Sequence, residues 1–211
     1  AMAVGIVDEP DALSLSNTKI DVRCNNGTDG SINLSVSGGT TNYSYLWSNG
    51  ETTQDIFGLS AGMYTVTVTD ANGCSETLTE TIGQPSALTA TAVPTATLCA
   101  GASNGEILVT PSGGTGPFTY DWADIVGTDD GKDRTGIAAG NYTVSITDFN
   151  SCTFVVSAEV TEPAVVGVTA SITTVLCFGG NNGAINITAS GGDGSYSYMW
   201  STGDGVGLSI N

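Results

Sequence analysis

Tyr64, Val66 and Val68 alternate with Thr65, Thr67 and Thr69. A period of two is the mark of a strand with one buried face and one wet face. Tyr142, Val144 and Ile146 alternate in the same way with Thr143, Ser145 and Thr147. Ile32, Leu34 and Val36 alternate with Asn33 and Ser35, and Ile185 and Ile187 with Asn186 and Thr188. The run Asp70-Ala-Asn-Gly73 breaks the alternation and predicts a hairpin turn, because Asn-Gly supplies the positive φ angles such turns need. No window carries a sustained helical stripe. The pattern therefore predicts short antiparallel strands packed as small sandwiches.

The alternation repeats on a longer scale. Pro10, Pro85 and Pro163 are each followed, fourteen positions later, by Cys24, Cys99 and Cys177. Gly30, Gly105 and Gly183 follow, then Ile32, Ile107 and Ile185, then the pairs Gly38-Gly39, Gly113-Gly114 and Gly191-Gly192. An aromatic run comes next: Tyr43-x-Tyr45-x-Trp47, Phe118-x-Tyr120-x-Trp122 and Tyr196-x-Tyr198-x-Trp200. Two copies continue into Gly62-x-Tyr64 and Gly140-x-Tyr142, then Asp70-x-Asn72-x-Cys74 and Asp148-x-Asn150-x-Cys152. The period is 75 residues, then 78, the extra three falling between Trp122 and Ile137. We expect residues 1–10 to be a vector remnant and the tail of a preceding repeat, 11–85 and 86–163 to be whole repeats of six or seven strands, and 164–211 a third repeat cut before its tyrosine strand, leaving an open core and a bare sheet edge. Gly62-x-Tyr64-x-Val66 and Gly140-x-Tyr142-x-Val144 have the form of the tyrosine corner of immunoglobulin-like sandwiches. The expected fold class is all-β: tandem small antiparallel β-sandwich domains, immunoglobulin-like or PKD-like, with one disulfide each.

Charge narrows the function. The chain has 211 residues, no histidine, four basic and 21 acidic residues, and a net charge of −17. Such a chain is repelled by phosphate backbones and anionic lipid, so neither nucleic acid nor direct membrane insertion is expected. Lacking histidine, it has no Ser-His-Asp or Cys-His catalysis. The acidic position shared by both whole repeats sits in a turn, Asp70 and Asp148, and an enzyme is not expected. Residues 11–85 carry net −6 and residues 86–163 net −7, so the charge is spread evenly over the repeats. No apolar stretch reaches the ~18 residues of a membrane span.

The five cysteines resolve into two per whole repeat. Paired usage predicts Cys24–Cys74 and Cys99–Cys152 disulfides, with the partner of Cys177 lying beyond Asn211. Both cysteine turns would then share one end of each sandwich. A bridge over a loop of this size contributes roughly 4 kcal/mol on the chain-entropy model, and implies an oxidising, extracytoplasmic compartment.

Two further features invite ligands. Trp47, Trp122 and Trp200 end aromatic runs and form a candidate sugar-stacking platform. The residues of each run share one strand face, aromatic in every repeat, while the opposite face drifts, which favours core packing. Asp129, Asp130 and Asp133 are calcium candidates in a loop found in one repeat. None has EF-hand spacing, and recurrent Asp and Asn in turns usually bond their own backbone. No cofactor is expected, calcium being the one candidate, and no catalytic residue is assigned.

The assembled motifs, Cys-x5-Gly-x-Ile, Ser-Gly-Gly, Tyr43-x-Tyr45-x-Trp47-Ser-Asn-Gly50, Leu59-Ser-Ala-Gly62-x-Tyr64-x-Val66-x-Val68-x-Asp70, Asn72-Gly-Cys74 and Gln84-Pro85, resemble the SprB repeat. The resemblance runs from about residue 11. The second repeat departs from the pattern at Asp121, at its three-residue insertion and at Ser151. The resemblance implies a very large surface adhesin of gliding Bacteroidetes-type bacteria, exported by type IX secretion and displayed on the outer membrane. It implies a semi-rigid stalk in adhesion and gliding motility, with neighbouring repeats as partners. A carbohydrate-binding array recognising surface polysaccharide or glycan is the alternative.

Overall fold

The structure is a computed structural model describing residues 9–127 and 130–200, with the backbone of 206–207. Among these residues the chain is all β. The first repeat contributes β1 (Ser14–Ile20), β2 (Gly30–Ser37), β3 (Ser44–Trp47), β4 (Ile56–Leu59), β5 (Gly62–Thr69) and β6 (Ser75–Ile82). The second contributes β7 (Thr89–Thr95), β8 (Gly105–Ser112), β9 (Thr119–Trp122), β10 (Arg134–Ile137), β11 (Gly140–Thr147) and β12 (Thr153–Val160). β13 (Gly167–Thr173), β14 (Ala184–Ser190), β15 (Tyr198–Met199) and β16 (Val206–Gly207) follow. The sheets repeat too: β1-β2-β4 with β3-β5-β6, then β10-β8-β7 with β12-β11-β9. The chain divides into two compact units, one of residues 1–89, 111–119 and 146–154, the other of the remaining segments.

Within the first unit the period-two faces close on each other. Ile32, Leu34, Val66 and Val68 are buried to 2% exposure or less, with Trp47, Ile56, Leu59 and Ile82 around them. Burying a Val or Ile side chain stabilises by about 1.5–3 kcal/mol, so this contiguous cluster outweighs any single turn or surface bond. The second repeat buries the matching set, including Ile107, Val109, Trp122, Val144, Ile146 and Val160. β13 and β14 form a two-stranded ribbon in which Ile185 is 52% and Ile172 70% exposed, so the alternation there lines no closed core. The tyrosine corner is present in both copies: Tyr64 Oη donates to the Ser60 carbonyl and Tyr142 Oη to the Ala138 carbonyl, each at 3.0 Å.

Register gives each sandwich two ends. β1 and β2 meet at the turn that holds Cys24, and the Val22 amide there donates to the Gly83 carbonyl just past β6. This is the exit end, where the chain leaves at Pro85. β5 runs away from it, because Gly62 pairs with Ile82 and Thr69 with Ser75. The hairpin holding Asp70 and Cys74 therefore lies at the opposite, entry end, beside the Gly38-Gly39 turn. β3 and β4 both run from entry to exit end, one in each sheet, and the loop 48–55 brings the chain back between them without a paired strand.

That return loop overturns the expected cysteine pairing. Cys24 and Cys74 lie at opposite ends, separated by the eight-residue β5, on the order of 25 Å of strand. A disulfide needs Cα atoms within about 7 Å. The structure instead bridges Cys24 to Cys152, with Cα atoms 5.7 Å apart, while Cys74, Cys99 and Cys177 are free and exposed. The fold has one disulfide joining two repeats, in place of one within each.

Candidate functional site

The bridge sits where the first repeat exits and the second enters, all within the first compact unit. On the exit side the Cys24 turn is closed by the Gly27 amide donating to the Cys24 carbonyl at 2.9 Å and by the Arg23 amide donating to Asp29 Oδ1 at 3.1 Å. Asn25 Nδ2 donates to the Pro85 carbonyl at 3.0 Å, and the Asn26 amide to Gln84 Oε1 at 2.8 Å. These bonds tie the cysteine turn to the departing chain.

On the entry side one carboxylate organises everything. Asp148 is 5% exposed; its Oδ1 accepts the amides of Asn150 (2.9 Å) and Cys152 (2.8 Å), and its Oδ2 accepts that of Thr115 (2.9 Å). Asp70 repeats this with the amides of Asn72 (2.9 Å), Cys74 (2.8 Å) and Thr40 (2.9 Å). Three charge-assisted bonds fix both the hairpin and the adjoining glycine turn. The Thr40 amide foremost, with those of Cys74 and Asn72, holds the Asp70 carboxyl below its ordinary value against an opposing push from burial. The glycine turn in turn grips the incoming chain: the Gly39 amide donates to the Asp11 carbonyl at 2.7 Å and the Gly114 amide to the Ser86 carbonyl at 3.0 Å. Gly38 has φ +71°, and a Cβ there would stand 2.0 Å from the Ala12 carbonyl oxygen, so a side chain is excluded on both counts.

The two sides meet through more than sulfur. Asn150 Nδ2 donates to the Arg23 carbonyl at 3.0 Å and also contacts Thr115 Oγ1 at 3.2 Å. Asp-x-Asn-x-Cys is thus a three-part device: the aspartate shapes the hairpin, the asparagine seats on the preceding repeat's backbone, and the cysteine locks it. The sequence singled out the recurrence of all three. It did not show that they face another repeat, because the alternation of a strand does not tell which end of a sandwich it reaches.

The other candidates have different roles. Trp47 and Trp122 are 2% and 1% exposed, and their Nε1 groups donate to the carbonyls of Thr53 and Gly131, both at 2.9 Å. Buried rings with satisfied N–H groups are core and leave no face for a sugar. Trp200 is half-buried. Asp129 lies outside the described residues. Asp130 accepts the Trp122 amide at 2.8 Å, and Asp133 accepts the Val109 amide at 2.9 Å and pairs with Lys132 at 3.0 Å. Burial pushes the Asp133 carboxyl up, but the Val109 amide and Lys132 together hold it below its ordinary value. Both carboxylates are engaged in fastening the inserted loop, and no group of three or more His, Cys, Asp or Glu that could hold a metal gathers among the described residues. Beside them Arg134 makes a two-pronged pair with Asp124 (2.9 and 3.1 Å) and lies over the rings of Trp122 and Tyr142, at 5.3 and 5.6 Å from their centroids.

The SprB repeat family model matches three segments, residues 16–52, 91–127 and 169–205, more than half of the chain. The chain belongs to the SprB repeat family. Each SprB match spans the cysteine turn, the glycine pair and the aromatic strand, and ends before the Asp-x-Asn-x-Cys hairpin. No curated protein matches the chain. Among solved structures, the N-terminal eight immunoglobulin domains of the Down syndrome cell adhesion molecule match at 14% identity, covering 72% of this chain and 25% of that one, with a TM-score of 0.38. A superposition at that score sets neither fold nor function. No helix among the described residues is long and apolar enough to cross a membrane.

Proposed function

We propose that this chain is a repeat segment of a cell-surface adhesin, a non-enzymatic, semi-rigid stalk serving surface adhesion and gliding motility. The observation that carries the reading is the covalent junction between consecutive repeats: the second repeat is seated by Asn150 and bridged by Cys152 on the exit end of the first. A spacer requires such fixed joints, whereas independent binding modules do not. We take residues 11–85, 86–163 and 164 onward as successive repeats, joined at Pro85 and Pro163, where proline stiffens the chain. Membership in the SprB family supports display on the outer membrane, and the disulfide supports an oxidising, extracytoplasmic compartment. The even acidic charge keeps a long array soluble and self-repelling.

Two measurements test this. Antibodies raised against the chain should label intact cells of the producing bacterium; labelling only after lysis would overturn the surface assignment. Small-angle scattering of the chain should give an elongated particle, and globular dimensions would overturn the stalk.

A further inference from the structure

We propose that Cys99 and Cys74 are the open halves of further inter-repeat bridges: Cys99 pairs with the Asp-x-Asn-x-Cys cysteine of a complete repeat that follows it, and Cys74 with the exit-turn cysteine of a repeat that precedes it. The proposal rests on the stalk reading and extends the single observed bridge to a rule for the array.

Each half is already built. The exit turn around Cys99 reproduces that around Cys24: the Ala102 amide donates to the Cys99 carbonyl at 3.1 Å, the Leu98 amide to Asn104 Oδ1 at 3.0 Å, and the Gly101 amide to Glu162 Oε2 at 2.6 Å, as Asn26 does to Gln84. Cys177 has the same turn, with the Gly180 amide on the Cys177 carbonyl and the Leu176 amide on Asn182. The entry hairpin around Cys74 reproduces that around Cys152 bond for bond through Asp70, and Asn72 Nδ2 already holds Thr40 Oγ1 at 2.8 Å, as Asn150 holds Thr115. The bond that seats Asn150 goes to a backbone carbonyl, so the change from Arg23 to Leu98 at the matching position leaves the acceptor intact.

The surroundings match as well. The bridge lies beside a groove of about 370 Å³ lined by Cys24, Asn25, Ala87, Leu88, Ser151 and Cys152. Cys99 opens onto a groove of about 390 Å³ lined by Leu98, Ala100, Pro163, Val165 and Val166. Leu98 and Val165 are 78% and 77% exposed, an apolar lip against which a hairpin of the following repeat would pack. Pairing within a repeat is excluded by the length of β5 and β11, eight residues each.

Chemically, two thiols each lose a proton and together give up two electrons to form the S–S bond. The acceptor is a disulfide of the oxidising compartment, small-molecule or protein-borne, which is reduced to two thiols by exchange.

Peptide mapping under non-reducing conditions, after alkylation of the folded chain, tests the proposal. In the unmodified 211-residue chain, Cys24 and Cys152 should be linked and Cys74, Cys99 and Cys177 alkylated. Inserting a second copy of residues 86–163 directly after Pro163 should link Cys99 to the cysteine of the new copy that corresponds to Cys152, and remove Cys99 from the alkylated set. Should that longer chain fail to fold, two single variants decide: Cys74→Ser should leave Cys24 protected, whereas Cys152→Ser should expose Cys24 to full alkylation. Release of Cys24 by Cys74→Ser, or a Cys99 that stays alkylated in the longer folded chain, overturns the inference. Neither result bears on surface labelling of cells, so failure of the bridge rule and failure of the adhesin reading stay separate.

Discussion

Ser151 holds a left-handed backbone, φ 67°, at the turn position where the first repeat has Gly73 at φ 83°. A side chain in that conformation costs about 1–2 kcal/mol, of which glycine's greater unfolded freedom returns about 0.5–1. Ser151→Gly should therefore raise stability by about 0.5–1 kcal/mol in urea unfolding. Asp70, in the matching hairpin, has a folded pKa below its unfolded value because backbone amides hold its anion. Its contribution is complete above the unfolded value and is lost as pH falls through the folded one. Between about pH 5 and pH 2 the native chain should lose more melting temperature than Asp70→Asn, which cannot accept the Thr40 amide at its nitrogen. Trp47 and Trp122 separate core from ligand platform most directly. Truncating either to alanine should cost about 3–5 kcal/mol by calorimetry, as removal of a buried ring does.

Among the elements, the strands were the most legible part of the sequence. The alternation at Tyr64, Val66 and Val68 placed β5, and Asp70-Ala-Asn-Gly73 placed its hairpin, because burial on one face is written into every second residue. The direction of travel was not written there. Loop 48–55 links β3 to β4, which run in the same direction, with no strand of its own, and this one unpaired return puts Cys24 and Cys74 at opposite ends. Counting cysteines per repeat placed Cys24 and Cys152 in bridges but gave each the wrong partner, and Cys74 and Cys99, expected to be bridged, are free. In the acidic loop, Asp130 and Asp133 accept the amides of Trp122 and Val109, bonds that composition does not reveal. The Gly38 turn, by contrast, was marked by its glycines and is sterically strict. Gly38→Ala should cost at least the ~1–2 kcal/mol of a left-handed alanine, with further loss from the clash at Ala12, measurable by thermal melting.

On the scale of the whole molecule, the Cys24–Cys152 bridge spans a sequence separation of 128, far more than either within-repeat loop would. The chain-entropy model assigns it about 5 kcal/mol, so a reductant should lower the melting temperature of the native chain and leave that of Cys152→Ser unchanged. The bridge also determines how the chain carries tension. A pull on the two ends would pass along β1 to Cys24, across the sulfurs to Cys152 and out through β12. Strands β2 to β11 lie off that load path and cannot be drawn out while the S–S bond holds. In an optical trap the oxidised chain should yield only short extensions. Reduction should release an additional tether of roughly 42–46 nm, the contour of the 128-residue span at full stretch. The strands between the bridged cysteines would be shielded from the drag borne by the filament as long as those cysteines stay oxidised.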